Sequence, residues 1–174
     1  MHIVIQILRT IAALFVGGIV GYLAIWAGHW PSGEIYPLPE GTNPDDLVAL
    51  RQILPTMPLG AFIAVLLYWQ AGAFFGGATA ALIGGKARCW HSAAIGLFVL
   101  AGTVMMIIKL PHPDWMIVAG LLLPLPVSIG AGKLVGIIFP QAPPPTPRAE
   151  GTSNGTQDRA GDGIVAGDPP LGRR

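Results

Sequence analysis

Two histidines, a carboxylate and two polar side chains inside apolar segments are the groups whose type and setting bear on chemistry in this chain. His29 follows Gly28 at the end of a long apolar run, and His112 lies in the turn Pro111-His112-Pro113-Asp114-Trp115. The flanking prolines restrict the backbone on both sides of His112 and hold its imidazole in a narrow range of positions. With Asp114 fixing the tautomer of His112, and Glu34 close to His29, these residues have the ligand types for zinc, copper or a haem iron. Neither histidine has a second ligand at i+4, and no His-Glu-x-x-His element occurs, so the commoner role of each is a polar residue where water begins. No firm metal site is assigned. His29, His112 and Asp114 are its candidates.

Gln70 and Ser128 are the polar groups expected at membrane depth, where an unpaired polar side chain is unfavourable and therefore a functional hypothesis by default. Counted from Leu59, Gln70 lies about 16 Å into a span at 1.5 Å per residue. A glutamine there more often clamps two helices by a hydrogen bond than holds a substrate. Ser128 ends the stretch Leu123-Pro124-Leu125-Pro126-Val127-Ser128. Each proline removes a helical donor, leaving the carbonyls of Gly120 and Leu122 without their usual partners. Carbonyls freed in this way bind cations in broken transporter helices, although a kink satisfied by a neighbouring side chain is commoner.

The elements that must position these groups are set by composition. Of 174 residues, 52% are hydrophobic and only 11% charged, against roughly 25% charged in a soluble domain. The net charge of +1 and the scattered Lys and Arg residues exclude nucleic acid as a partner. A single cysteine, Cys89, excludes an internal disulfide and a cysteine-rich metal site, and reads as a small packing residue. The apolar run at the N-terminus is longer than a signal-peptide core, so residues 1–27 are expected to be retained.

Apolar stretches over 3–27, 59–83, 90–109 and 115–139 are each long enough to cross a bilayer, which takes about 20 helical residues. They predict an all-α membrane protein, a bundle of four transmembrane helices forming one domain over residues 1–139. Between the first two spans, residues 28–58 read as an aqueous loop. It contains a short surface helix over about 44–54, with Asn43 as N-cap, Pro44 at the first helical position and Asp45 and Asp46 in the first turn. From 140 to 174 the chain is rich in Pro, Gly and small polar residues and predicts a disordered tail. Arg9, Lys86, Arg88, Lys133 and Arg148 lie on one side of this arrangement and only Arg51 and Lys109 on the other. The positive-inside rule then puts both termini in the cytoplasm.

The second span carries a pattern of small residues around which the bundle is expected to form. Gly72, Gly76, Ala80 and Gly84 share one helical stripe, and Ala73, Gly77, Ala81 and Gly85 the next. Interior glycines weaken a helix in water by roughly 1 kcal/mol each relative to alanine, but in a membrane such a glycine-zipper pattern lets backbones approach. The first span has the complementary set Ala13, Gly17 and Gly21, and the two stripes are expected to face one another.

A first span ending in Gly28-His29 and followed by Tyr36-Pro37, the entry Pro58-Leu59-Gly60-Ala61 into a glycine-rich second span, and the Pro111-His112-Pro113-x-Trp115 turn together resemble a family of small bacterial four-helix integral membrane proteins of uncharacterised function. The resemblance covers roughly residues 5–137 and departs from the family in the longer segment Trp30–Ile35. It implies the architecture and a bacterial cytoplasmic membrane, and supplies no activity or catalytic residue.

The function expected from these residues is association. No nucleophile with a base and no phosphate loop is present, so no catalysis and no cofactor are expected, while helix-packing surface is abundant. The chain reads as a subunit, scaffold or accessory factor whose partners are the lipid bilayer and another membrane protein or a second copy. The alternatives are a small transporter or channel with a pathway near Gln70 and the Pro124/Pro126 kink, and a metal- or haem-binding protein using His29 and His112.

Overall fold

The computed structural model of the protein describes residues 2–85 and 88–140. Lys86 and Ala87 of the expected turn, and the expected tail from Gln141 onward, lie outside the described residues. The described chain is helical: α1 (His2–Ile35), α2 (Leu47–Ile53) followed by a 3-10 turn (Leu54–Thr56), α3 (Leu59–Gly84), α4 (Arg88–Lys109), α5 (Asp114–Leu122) and α6 (Pro124–Ile138). Four segments are long and apolar enough to cross a membrane: α1, α3, α4, and α5 with α6 taken together.

α3 is the central element, and α1, α4 and α6 all pack on it, α1 most extensively. Its contact with α1 is backbone against backbone. A Cβ built on Gly17 would lie 2.8 Å from Ala80 Cβ and 2.9 Å from the Gly76 carbonyl oxygen, and one on Gly21 would lie 3.0 Å from the Gly72 carbonyl oxygen. Ala13 and Ala80 are fully buried. Only glycine permits this approach, and the gain is dispersion contact along two helix faces that carry almost no side chain.

The other side of α3 is joined to α4 and α6 by two serines. Ser92 Oγ donates to the Gly77 carbonyl at 2.8 Å, and Ser128 Oγ donates to the Ser92 carbonyl. Both serines are completely buried. Gly77, Gly96 and Gly132 are the surfaces they rest on, with Ser128 against the first two and Ser92 against the third. Each hydroxyl has its acceptor on a neighbouring helix, so the two serines join α3, α4 and α6.

Arginines donate to carbonyls at three helix C-termini, where positive charge also complements the helix dipole. Arg9 donates to Ile83 at the end of α3, Arg88 to Val135 and Phe139 at the end of α6, and Arg51 to Lys109 at the end of α4 at 2.7 Å. The Arg9 guanidinium lies over Gly85, which has φ +68° and so ends α3 in a conformation open to glycine.

Three boundaries and contacts differ from those read in the sequence. α1 does not stop near Ala27 but continues through Pro31 to Ile35, because a proline withholds only one donor and Tyr36 N–H still bonds the Ser32 carbonyl at 2.9 Å. At 1.5 Å per residue α1 is about 51 Å long, so it exceeds a hydrocarbon layer of about 30 Å. The cap of α2 is Asp46, whose carboxylate accepts from Val48 and Ala49. Asn43 instead accepts from Asp45 N–H in a turn, so Pro44 precedes the helix rather than starting it. Cys89 is exposed and does not pack. The final span is interrupted at Leu123, where the prolines break the hydrogen-bond ladder, yet Leu123 keeps right-handed helical dihedrals and bonds Ala119, so the chain turns without unwinding.

Candidate functional site

A cavity into which several polar residues gather sits at the end of the bundle that carries α2. It has a volume of about 260 Å³, and both His29 and His112 line it. The extension of α1 places one wall. His29, Ser32, Gly33 and Tyr36 recur at i, i+3, i+4 and i+7, which is one helix face, and all four line the cavity. α3 supplies Phe62, Tyr68 and Trp69, each buried, and the 3-10 turn and its exit supply Leu54 and Met57.

Each histidine is held by named neighbours. The His29 ring lies on Tyr68 with centroids 4.4 Å apart, and the Tyr68 hydroxyl is 3.4 Å from His29 Nδ1. His112 stands against Trp69 and Phe62 at centroid distances of 5.9 and 6.5 Å. Its Nδ1 is 2.8 Å from the Leu110 carbonyl. A carbonyl only accepts, so Nδ1 carries the proton and Nε2 of the neutral ring is left as an acceptor.

The structure thus brings His29 and His112 to one cavity and leaves Asp114 out of it. Asp114 is exposed at the first residue of α5. The tautomer of His112 is set by the Leu110 carbonyl, not by Asp114 as the sequence suggested, because the turn folds the ring back onto its own backbone. Among the described residues no group of three His, Cys, Asp or Glu side chains stands close enough to hold a metal ion.

Gln70 has neither of the expected roles in view. Both polar atoms of its amide are shielded from solvent and neither has a hydrogen-bond partner, so it clamps no pair of helices. Ser128 is the helix-joining hydroxyl described above. Gly17, Gly21, Gly72, Gly76 and Ala80 lie at the α1–α3 contact, remote in role from the cavity.

Several residues of the cavity carried no signal when residues 28–58 were read as a loop. Ser32 and Gly33 join His29 and the already marked Tyr36 on one helix face only once α1 is seen to pass Pro31. Tyr68 and Trp69 are adjacent to Gln70 in sequence, and their place in the cavity depends on the rotation of α3. At the opposite end His91, buried with 3% of its surface exposed, has Nε2 3.2 Å from Thr10 Oγ1 and ties α4 to α1. Comparison with family models, with curated proteins and with solved structures finds no match to this chain.

Proposed function

We propose that the protein is a non-catalytic accessory subunit of a bacterial cytoplasmic membrane, with both termini cytoplasmic, that acts by lateral association of α1 with a helix of another membrane protein. The observation that carries this reading is the attachment of α1. Only 11% of its most apolar spanning window is buried, against 28–39% for the other three spans, and α1 is held mainly on α3, with a lesser contact to α4. A flank of α1 clear of that contact carries Val16, Leu23 and Trp30 at heptad spacing, all exposed. A ridge repeating every seven residues is the geometry by which a second helix interdigitates. The Arg9, Arg88 and Lys133 side of the bundle supports the orientation by the positive-inside rule.

Photocrosslinking in native membranes tests the association. A benzophenone amino acid at Leu23 should give a discrete adduct with one other membrane protein, and the same group at Leu134 on α6 should not. Absence of any adduct above the monomer from Leu23 overturns the reading, and an adduct of twice the monomer mass replaces the partner with a second copy. For the orientation, single cysteines at Asn43 and Ser153 in a Cys89→Ser background should react with an impermeant reagent from opposite sides of the membrane.

A further inference from the structure

The cavity at His29 and His112 does not end at Trp69. A second hollow of about 380 Å³ shares His29, Trp69 and Met106 with it. A third, of about 520 Å³, shares Gly18, Tyr22, Ile95 and Phe98 with the second. The three form one trough between α1 and α4, two helices that touch far less than α1 and α3 do. Along α1 it runs from Tyr36 to Leu14, a rise of about 33 Å at 1.5 Å per residue, comparable to the hydrocarbon thickness of about 30 Å.

Its two ends differ chemically. The polar groups His29, Ser32, Tyr36, Tyr68 and His112 gather at the α2 end, and the remainder is aliphatic and aromatic apart from Tyr22 and Thr103. Among the described residues no Lys, Arg, Asp or Glu lines the trough. A phosphate headgroup drawn inside the cavity would leave water for a lining without a charged side chain, which is unfavourable. Gly18 and Gly102, one on each wall, have no atom within 4 Å of a built Cβ, so the trough there is open space rather than a packed contact.

We propose that this trough binds a lipid with an uncharged, oxygen-bearing ring and a single isoprenoid tail, of the quinone and quinol class. The ring occupies the 260 Å³ cavity, which is near the lower end of ligand pockets, roughly 300–1,000 Å³, and takes one substituted ring but not a porphyrin. Tyr68 and Trp69 offer faces and edges for stacking. With the Tyr68 hydroxyl donating to His29 Nδ1, the His29 proton sits on Nε2 and is free to donate to a ring carbonyl. His112 Nε2 accepts from a ring hydroxyl, so the site offers one donor and one acceptor. The tail lies along Phe98, Tyr22 and Gly18, entering sideways from the bilayer. The proposal stands independently of the association of α1, because the Val16–Leu23–Trp30 ridge does not line the trough.

The test is binding of two probes to the full chain in lipid nanodiscs: a benzoquinone carrying a decyl chain, and the same ring carrying a methyl group. Wild type should bind the decyl probe saturably, above the partitioning seen with empty discs. Gly18→Leu, which fills open space and leaves the helix contacts intact, should weaken the decyl probe at least tenfold and leave the methyl probe unchanged. His112→Ala should weaken both at least tenfold. No binding above empty discs, equal affinity of wild type and Gly18→Leu for the decyl probe, or displacement of the decyl probe by added phosphatidylglycerol overturns the proposal, the last by assigning the trough to a phospholipid. Should His112→Ala fail to fold, the Gly18→Leu comparison decides alone.

Discussion

Gly76→Leu is the perturbation that most directly probes the packing at the centre of the bundle. A Cβ at position 76 would lie 2.8 Å from the Gly17 carbonyl oxygen, 3.0 Å from Ile95 Cγ2 and 3.1 Å from Gly21 Cα. Ordinary contact at a Cβ begins near 3.4 Å, and two of the three obstructing atoms are backbone, which no rotamer change can move aside. α1 must shift away from α3 by roughly half an ångström for the first carbon alone, and further for the branched end of leucine. Overpacking of this kind costs about 1–3 kcal/mol, and the gain in helix propensity on replacing glycine, up to about 1 kcal/mol, does not offset it because the shift also opens the Gly17 and Gly21 contacts. At roughly 2–4 °C per kcal/mol for a chain of this size, thermal unfolding in a mild detergent should drop by roughly 2–12 °C. Gly18→Leu and Gly130→Leu, whose positions have nothing within 4 Å, should unfold at or above the wild-type temperature. If Gly76→Leu unfolds with the controls, α1 does not sit on α3 as described.

Three further substitutions bear on the polar groups of the bundle. Gln70→Leu removes an amide whose two polar atoms are shielded and unpartnered, and should raise the unfolding midpoint, since an unsatisfied buried group is unfavourable by about 1–3 kcal/mol; a lowered midpoint means that the amide has a partner in the membrane. Ser92→Ala deletes the donor to the Gly77 carbonyl and should lower stability by only about 0.6 kcal/mol, the usual size of such a bond between membrane helices. Arg88→Met uncaps the carbonyls of Val135 and Phe139 and should destabilise by about 1.5–3 kcal/mol, read as earlier loss of helical signal on heating.

What the sequence made legible follows from the length scale of each signal. Four apolar runs of twenty or more residues and two stripes of glycine at four-residue spacing are long-range periodic features, and the structure has four helices long and apolar enough to span, with Gly17 and Gly21 against Gly72 and Gly76. The serine joints at Ser92 and Ser128 were half visible. Ser128 stood out because two prolines closely precede it, whereas Ser92 carries no local mark and acquires its role only from the rotation of α4 that turns it toward Gly77.

The cavity was hidden by one boundary. Trp30-Pro31-Ser32-Gly33 has the composition of a turn, and a helix that stops before it leaves His29 and Tyr36 as unrelated residues of a loop. Local propensity fails there because the first helix is anchored along α3 as far as Gly28, where a Cβ would run into Tyr68, and packing extends a helix beyond what its last turns would sustain alone. Once α1 passes Pro31, seven residues become two turns, and His29 and Tyr36 fall on one face above the aromatic residues of α3. The extension also makes α1 longer than a hydrocarbon layer of about 30 Å, as the proposed binding of a ring at the polar end of the trough with its tail in the bilayer requires. A chain whose first helix ended at Ala27 would keep the bundle and lose this wall. Inserting one alanine after Trp30 would likewise leave the α1–α3 contact in place, rotate Ser32, Gly33 and Tyr36 by about 100° and turn them out of the cavity. Such an insertion should leave the unfolding temperature near that of wild type while changing the cavity, and an insertion that unfolds the bundle would show instead that the end of α1 is part of its core.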